Sequence, residues 1–381
     1  VPESSWLTVD KDKLANLEGA RYVHPFVEPK GDNDFKFWFA DYVTLEQGTG
    51  LVHTAPGHGV DDYKTGVKHG LEVYAPVDDA GRFTDDVERW KGKKAFVANP
   101  EIVEFLDELG ALLSPTSLSL THSYPHSWRS KKPVLFRATD QWFISVDHND
   151  LRARALKAID ETEWVPKWGR NRIFGMIENR PDWVLSRQRL WGVPIPAFYC
   201  NACGDLRADA DTMEHVAALF AEHGADYWFT QDEATLLPDG AKCQACGASD
   251  FKKERAIVDV WFESGVSWLA VCEPNDELRD IDLYLEGSDQ HRGWFHSSLL
   301  VGMGVANKAP YKTVLTHGFV LDGKTGTPFS KSEIRKAQAE GKKVKYIPPD
   351  DVIAKYGAEL FRVWTASTEF RTDIPYSEEQ L

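Results

Sequence analysis

Four of the five cysteines fall in two short pairs, Cys200-Asn201-Ala202-Cys203 and Cys243-Gln244-Ala245-Cys246, each followed by glycine. A Cys-x-x-Cys pair on a tight knuckle brings two thiolates within reach of one tetrahedral Zn²⁺, and two such pairs fill its four positions. The pairs are further apart than in the usual zinc ribbon, which a helix between them explains: the metal would close a small subdomain. Two disulfides are the competing arrangement. Nothing in the sequence suggests secretion, so structural zinc is preferred. A closed four-cysteine site has no open position and would not be catalytic. Cys272 stands alone and reads as a small buried apolar residue.

A second group of residues has the chemistry to hold a polar ligand. In the block Tyr284 to Phe295, Gly287 permits close approach of backbone to a ligand. Glu286, Asp289 and Gln290 supply acceptors suited to ribose hydroxyls and an ammonium group. The block follows an apolar run and opens a helical one, the place where α/β sheets bind phosphates and other ligands. Its plain alternative is helix capping and packing. Several of the 14 tryptophans, Trp191, Trp261 and Trp294 among them, sit beside such polar motifs instead of in apolar runs. Aromatic residues placed so often line pockets, with core packing as the competing role.

These groups need elements to hold them. Residues 1–115 mix strand-like runs (35–43 and 50–54) with Gly/Pro/Asp turns and one helix over 100–109 ended by Gly110, a compact α+β unit. Residues 134–136 and 141–146 read as strands and 150–159 as a helix. A polar and aromatic block, 179–196, follows. Residues 198–256 form an insertion bracketed by the cysteine pairs, with a helix over 211–223 begun by Asp211 and ended by Gly224. From 257 to 322, strand-like runs at 256–262, 283–286 and 313–321 alternate with a helix over 294–306, which predicts a parallel βαβ unit. Residues 346–381 read as helical, over 349–356 and 358–366.

Composition excludes some classes. The 381 residues suffice for two or three domains, and no apolar run approaches the roughly 18 residues that span a membrane. A formal net charge of −15 argues against wholesale nucleic-acid binding and leaves room only for a local basic stripe, such as Arg335-Lys336 with Lys342, Lys343 and Lys345. Most such lysines read as solvated surface. The start, Val1-Pro2-Glu3-Ser4-Ser5-Trp6, has neither the basic nor the apolar region of a signal peptide, and is read as the beginning of a fragment.

Several segments resemble one family, the class I aminoacyl-tRNA synthetases, and within it the isoleucyl-tRNA synthetases. The carriers are Tyr284-Leu285-Glu286-Gly287-Ser288-Asp289-Gln290-His291-Arg292-Gly293-Trp294-Phe295, the run Arg187 to Pro196, Val258-Asp259-Val260-Trp261-Phe262-Glu263-Ser264-Gly265, and Val52-His53-Thr54-Ala55-Pro56-Gly57-His58-Gly59-Val60-Asp61-Asp62-Tyr63. The likeness runs from about residue 35 to the C-terminus. It implies that Glu286, Gly287, Asp289 and Gln290 contact an aminoacyl-adenylate and that Trp261 and Trp294 wall the isoleucine side chain. It also implies that Asp62 binds the α-amino group of a mischarged residue in an editing pocket lined by His53.

The sequence departs from the family in places. The HIGH-type ATP motif and the threonine-rich editing strand are absent. The KMSKS loop is replaced by Pro328-Phe329-Ser330-Lys331-Ser332, so Ser330, Lys331 and Ser332 stand as the ATP loop, with Lys331 the catalytic cation. Ser127-Trp128-Arg129-Ser130 stands where some relatives bind a second zinc, and serine makes no such site.

The expected architecture is α/β: a partial α+β editing domain (1–118), re-entry into a Rossmann-like catalytic domain (119–197), a zinc-closed insertion (198–256), the second half of the catalytic domain with the KMSKS-like loop (257–345), and the start of a helical tRNA-contact region (346–381). The resemblance implies a cytoplasmic, monomeric isoleucine–tRNA ligase. Its partners would be isoleucine, ATP with Mg²⁺, and tRNA(Ile), and it would hydrolyse mischarged valyl-tRNA(Ile). The 381 residues alone are expected to be inactive. The alternatives are a valyl-tRNA synthetase fragment or a non-catalytic tRNA-binding fragment.

Overall fold

A computed structural model describes residues 15–44, 46, 49–127, 130–323, 326–327, 339–341 and 348–377. The loop residues Ser330, Lys331 and Ser332, and the Trp128-Arg129 pair, lie outside them. The chain divides into two units, Val1–Asp140 and Gln141–Leu381.

In the first unit, the helix Val60–His69 carries Asp61 and Asp62 in its first turn, where carboxylates favour the positive end of the helix dipole. It ends at Gly70, whose left-handed φ of 66° turns its N–H back onto the carbonyls of Gly66 and Val67. The second helix, Ala95–Glu108, begins before the expected start at Pro100, which it contains. Ala98 is fully buried there and packs with Val87, Trp90, Ile102 and Phe105. Burial of that face outweighs the missing proline N–H. The runs at 35–43, 50–54 and 134–136 form no strand among the described residues. Lys36 and Phe37 make only isolated bridges, to Arg21 and Glu18. Phe35 itself has a φ of 55°, which breaks an extended run at its first residue.

The second unit holds the expected βαβ arrangement. Strands Leu283–Gly287 and Thr313–His317 pair in parallel, from Thr313↔Leu283 to His317↔Gly287, with the helix Trp294–Val305 between them in sequence. Glu163–Val165 adds a third parallel strand on the other side of Thr313–His317. Helices Leu151–Glu161 and Trp168–Glu178 complete the layer, and Ile159, Ile173, Phe295, Leu299 and Val314 are fully buried in the shared core.

Four expectations in this unit are corrected. The run 256–262 is a strand only over Ile257–Val258, because Asp259 caps a helix, Val260–Gly265. The run 313–321 breaks at Gly318, where a Cβ would lie 2.1 Å from the Thr372 carbonyl oxygen. The chain then forms a separate strand, Val320–Asp322, parallel to Ile374–Tyr376. That last strand replaces helix near the C-terminus, while Pro349–Tyr356 and Ala358–Ser367 are helical as read. The run 141–146 pairs only over Phe143–Ile144, against Trp183–Val184.

The insertion is a three-stranded antiparallel sheet, Leu206–Arg207, Phe198–Cys200 and Phe251–Lys253, with its own core of Phe198, Val216, Trp228, Leu236 and Phe251. Its helix spans Ala210–His223, and its cap is Asp209, not Asp211: Asp209 Oδ1 accepts from Thr212 N at 2.9 Å. The insertion leaves and rejoins the core side by side. Ile195 N donates to the Ala256 carbonyl at 3.1 Å and Glu254 N to the Ala197 carbonyl at 2.8 Å. Glu254 also accepts from Trp142 Nε1 (2.9 Å), Tyr199 Oη (2.8 Å) and the Arg255 and Ala256 amides. Burial raises its pKa, but these donors outweigh it and hold the carboxyl below the usual range.

Candidate functional site

The two cysteine knuckles face each other. Gly204 and Gly247, with φ of 77° and 76°, donate to the carbonyls of Cys200 and Cys243 and fold each Cys-x-x-Cys into the same tight turn. Cys200 Sγ lies 3.6 Å from Cys246 Sγ, Cys203 Sγ lies 3.6 Å from Cys243 Sγ, and all four sulfurs are within 4.8 Å of one another. None is in a disulfide, and the spacing suits a different bond. A tetrahedron with Zn–S of about 2.3 Å has an edge of about 3.8 Å, against about 2.05 Å for S–S. The donor set therefore fits zinc. The thiols already influence one another: burial raises Cys200, yet the N–H groups of Cys203 and Ala202 and the neighbouring thiols bring it down to about 7. At Cys203 the Asp205 N–H pulls the other way, and the surrounding sulfurs push it up to about 12.

The second group sits at the end of the Leu283–Gly287 strand. Glu286 and Asp289 are exposed, at the strand's last turn and in the short helical turn Ser288–Arg292. Gly287 leaves room here: a Cβ would come within 2.9 Å of Asp289 Oδ1 and 3.1 Å of the Phe319 ring, and both side chains would have to give way. Gln290 is partly committed to structure. Its Oε1 accepts from Trp294 N at 2.8 Å, closing the start of the long helix, and its Nε2 reaches Asp289 Oδ2 at 3.3 Å. Trp294 stacks on Tyr284 with centroids 3.9 Å apart and planes at 12°, and its indole N–H donates to the Ser264 carbonyl at 3.0 Å. Burial there pushes the Tyr284 hydroxyl up to about 12.

Trp261 lies against Gly293, where a Cβ would meet its ring at 2.9 Å, and keeps 41% of its surface exposed. It borders a cavity of about 300 Å³ that also takes in Arg180, Arg187, Asp259, Arg292 and His296. Glu286, Asp289 and Gln290 are not among its lining residues. His296 is 3% exposed, and burial, with Arg180 and Arg292 adding to it, holds its pKa at about 3, so it is neutral. Burial also lowers Arg180, although Asp259 opposes the shift. Asp259 is 3% exposed and accepts from Trp183 Nε1 at 3.1 Å, Arg187 Nη2 at 2.7 Å and Trp261 N at 3.1 Å. Sequence reading gave Asp259, Arg187, Arg180 and His296 no role. Only Asp259 carried a signal, as an acceptor immediately before a helix.

In the first unit, His53 is exposed and borders a cavity of about 1240 Å³ together with Tyr22, His24, Phe37 and Tyr74. Asp62 is half-buried on the first turn of Val60–His69, beside Gly59, and is not among the lining residues. Gly57 lets this segment pass close to its neighbour, since a Cβ would fall 2.1 Å from the Tyr74 carbonyl oxygen.

No helix among the described residues is long and apolar enough to cross a membrane. A family model described as tRNA synthetases class I (I, L, M and V) matches residues 6–377. A Geobacter sulfurreducens protein named isoleucine–tRNA ligase is 53% identical over 362 residues, which is 95% of this chain and 37% of that protein. A Desulfovibrio desulfuricans protein of the same name is 50% identical over 382 residues, covering 99% of this chain and 39% of its own length. The chain thus spans less than two fifths of these relatives. Among solved structures, a Mycobacterium tuberculosis methionyl-tRNA synthetase in complex with methionyl-adenylate aligns with 85% of this chain and 58% of its own at 14% identity, with a TM-score of 0.41, too distant to carry weight.

Proposed function

The chain belongs to the class I tRNA synthetases of the isoleucine, leucine, methionine and valine group, and on that premise we propose that it is part of an isoleucine–tRNA ligase. The whole enzyme joins isoleucine to ATP as isoleucyl-AMP, passes the aminoacyl group to tRNA(Ile), and hydrolyses valyl-tRNA(Ile). Support comes from the names of the relatives at about half identity and from one structural observation: the parallel strand Leu283–Gly287 ends in acceptors and opens into a helix at a glycine-permitted turn.

In this reading the isoleucine carboxylate attacks the α-phosphate of ATP and pyrophosphate leaves. Glu286, Asp289 and the Gly287 backbone hold the adenylate. Gln290 donates through its amide nitrogen, since its oxygen is engaged by Trp294 N. Trp261 offers its exposed ring face, and Trp294 the face not stacked on Tyr284, to the aliphatic side chain. Lys331 stabilises the charge that develops on the phosphates, and Mg²⁺ arriving with ATP would neutralise part of the same charge. Cys200, Cys203, Cys243 and Cys246 would hold a zinc ion, which would cross-link the insertion and supply no chemistry. Isoleucine and valine differ by one methylene, worth only about 1–3 kcal/mol in an apolar pocket. A second, hydrolytic site is therefore required, and His53 and Asp62 belong to it.

Amino-acid-dependent exchange of pyrophosphate into ATP by the whole enzyme tests the reading. Isoleucine should support exchange with a kcat/KM at least about tenfold above valine. Preference for valine would make it a valyl enzyme, and no exchange with any aliphatic amino acid would leave it a tRNA-binding protein.

A further inference from the structure

One buried carboxylate holds the tryptophan that borders the site, and two further donors hold that carboxylate in place. Asp259 Oδ1 receives the Trp261 backbone N–H at the start of the helix Val260–Gly265. Oδ2 receives both the Trp183 indole N–H and an Arg187 N–H, at 3.1 and 2.7 Å. The residue's own N–H donates to the Leu185 carbonyl at 2.7 Å, alongside the antiparallel pairing of Ser186 with Val258. Arg187 is itself fixed, donating from Nη1 to the carbonyls of Val184 and Ser186. A helix cap needs only one acceptor, and serine or asparagine serves as well as aspartate. The second oxygen, with a buried indole and a guanidinium on it, is more than a cap requires. A charge-assisted hydrogen bond is also stronger than a neutral one.

What this arrangement controls is the position of Trp261. The helix it heads is only six residues long. Its far end is held by Gly265, whose absent side chain lets it approach Ser297 of the long helix, where a Cβ would sit 3.0 Å from the Ser297 backbone. Its near end is held by Asp259. Between them, the Trp261 ring rests on Gly293.

We infer that Asp259 is the positioning residue that sets where Trp261 stands and thereby how closely the site fits its aliphatic amino acid. This rests on the isoleucine-activating reading of the site. Loosening Asp259 should widen the slot between Trp261 and its surroundings. Fit to the longer, branched isoleucine should suffer more than fit to valine, and ATP binding should be untouched.

The test is pyrophosphate exchange by the whole enzyme carrying Asp259→Asn, measured with isoleucine and with valine at saturating ATP, and with ATP varied. Asparagine retains the cap and loses the charge. The expected result is a rise of about tenfold in the KM for isoleucine, a fall in the isoleucine-to-valine ratio of kcat/KM, and an unchanged KM for ATP. Trp183→Phe, which removes one donor and keeps an aromatic ring, should shift the ratio the same way by less, and it decides the matter if Asp259→Asn does not fold. An unchanged ratio in folded protein overturns the inference, as does an equal loss for both amino acids and ATP, the mark of a merely structural residue. If the unaltered enzyme prefers another aliphatic amino acid, the isoleucine reading falls. The positioning claim is then judged by the same ratio, with that amino acid in place of isoleucine.

Discussion

Replacing Cys243 with serine removes one corner of the four-sulfur cluster and exchanges a thiolate for a hydroxyl that does not ionise near neutral pH. The remaining three sulfurs hold their geometry through the knuckle at Cys200–Cys203, but the second knuckle keeps one ligand only, Cys246. Structural zinc in small domains contributes about 10–16 kcal/mol of apparent binding free energy, as much as the whole stability of an ordinary domain, about 5–15 kcal/mol. The core of the insertion is small. Its fully buried apolar side chains are Phe198, Trp228, Val216 and Leu236, and Leu237, Phe251, Cys200 and Cys243 complete the cluster. That core cannot replace the metal. Cys243→Ser should therefore lose most of its bound zinc and unfold 198–253 locally. Metal analysis together with hydrogen exchange reads this directly: amides of the Phe198–Cys200 and Phe251–Lys253 strands should lose protection by about a hundredfold or more. Those of Thr313–His317 and of Ala95–Glu108 should hold theirs. The reasoning is refuted if protein purified without chelator contains no zinc, if mass spectrometry finds two disulfides, or if the variant keeps both its metal and its protection.

Two further outcomes are expected. In the whole enzyme, Lys331→Ala should slow single-turnover adenylate formation about a hundredfold and weaken isoleucine binding much less, because the cation acts on charge that develops only at the transition state. A change within about twofold, with loss of activity on altering Lys336, Lys342 or Lys343 instead, would move the role downstream. His296 has a pKa held at about 3 by burial in the folded chain, against about 6.5 unfolded. Between those values the unfolded chain binds the extra proton, so stability falls as pH drops from about 6.5, by up to about 1.4 kcal/mol per unit. Urea unfolding at pH 7 and pH 5 should show His296→Leu losing about 2 kcal/mol less than the unaltered protein over that step. Parallel losses would show that His296 is not the group responsible.

The parts of the molecule that were legible in the sequence are those fixed by local rules. The cysteine pairs and their glycines specify two knuckles with no knowledge of the rest of the chain. The alternation of apolar runs over 283–317 specifies a parallel pair because a short strand, a helix and another strand have few ways to pack. What failed depended on partners far away. Residues 35–43 have strand composition, but a strand exists only where a neighbour offers hydrogen-bonding groups along its length, and among the described residues only the 19–22 segment does so: the N–H groups of Gly19 and Tyr22 donate to the Phe37 and Phe35 carbonyls, and Phe37 N donates to the Ala20 carbonyl. Gly318 looks like an ordinary glycine until Thr372 is placed against it. Arg180, Arg187, Asp259 and His296 meet only in three dimensions, and no spacing rule joins them. Gln290 illustrates a subtler limit: its residue type suggested an acceptor for a ligand, yet the amide spends its oxygen on the backbone of Trp294.

The side-by-side exit and return of the insertion bear on how this part of the chain can change over time. Seen from the core, everything from 198 to 253 is a hairpin stem two strands wide, closed by the Ile195–Ala256 and Ala197–Glu254 hydrogen bonds and pinned by Glu254 to Trp142 and Tyr199. The core therefore has no means of sensing how many residues lie beyond the stem. Each doubling of a closed loop costs only about 0.6 kcal/mol, and the knuckles meet the same way whatever separates them. Between Cys203 and Cys243, lineages can lengthen or trim the turns outside the packed residues Val216, Trp228, Leu236 and Leu237 at little cost to the core. The two residues flanking the stem, Pro194 and Ile257, bridge each other directly just ahead of Asp259 and Trp261.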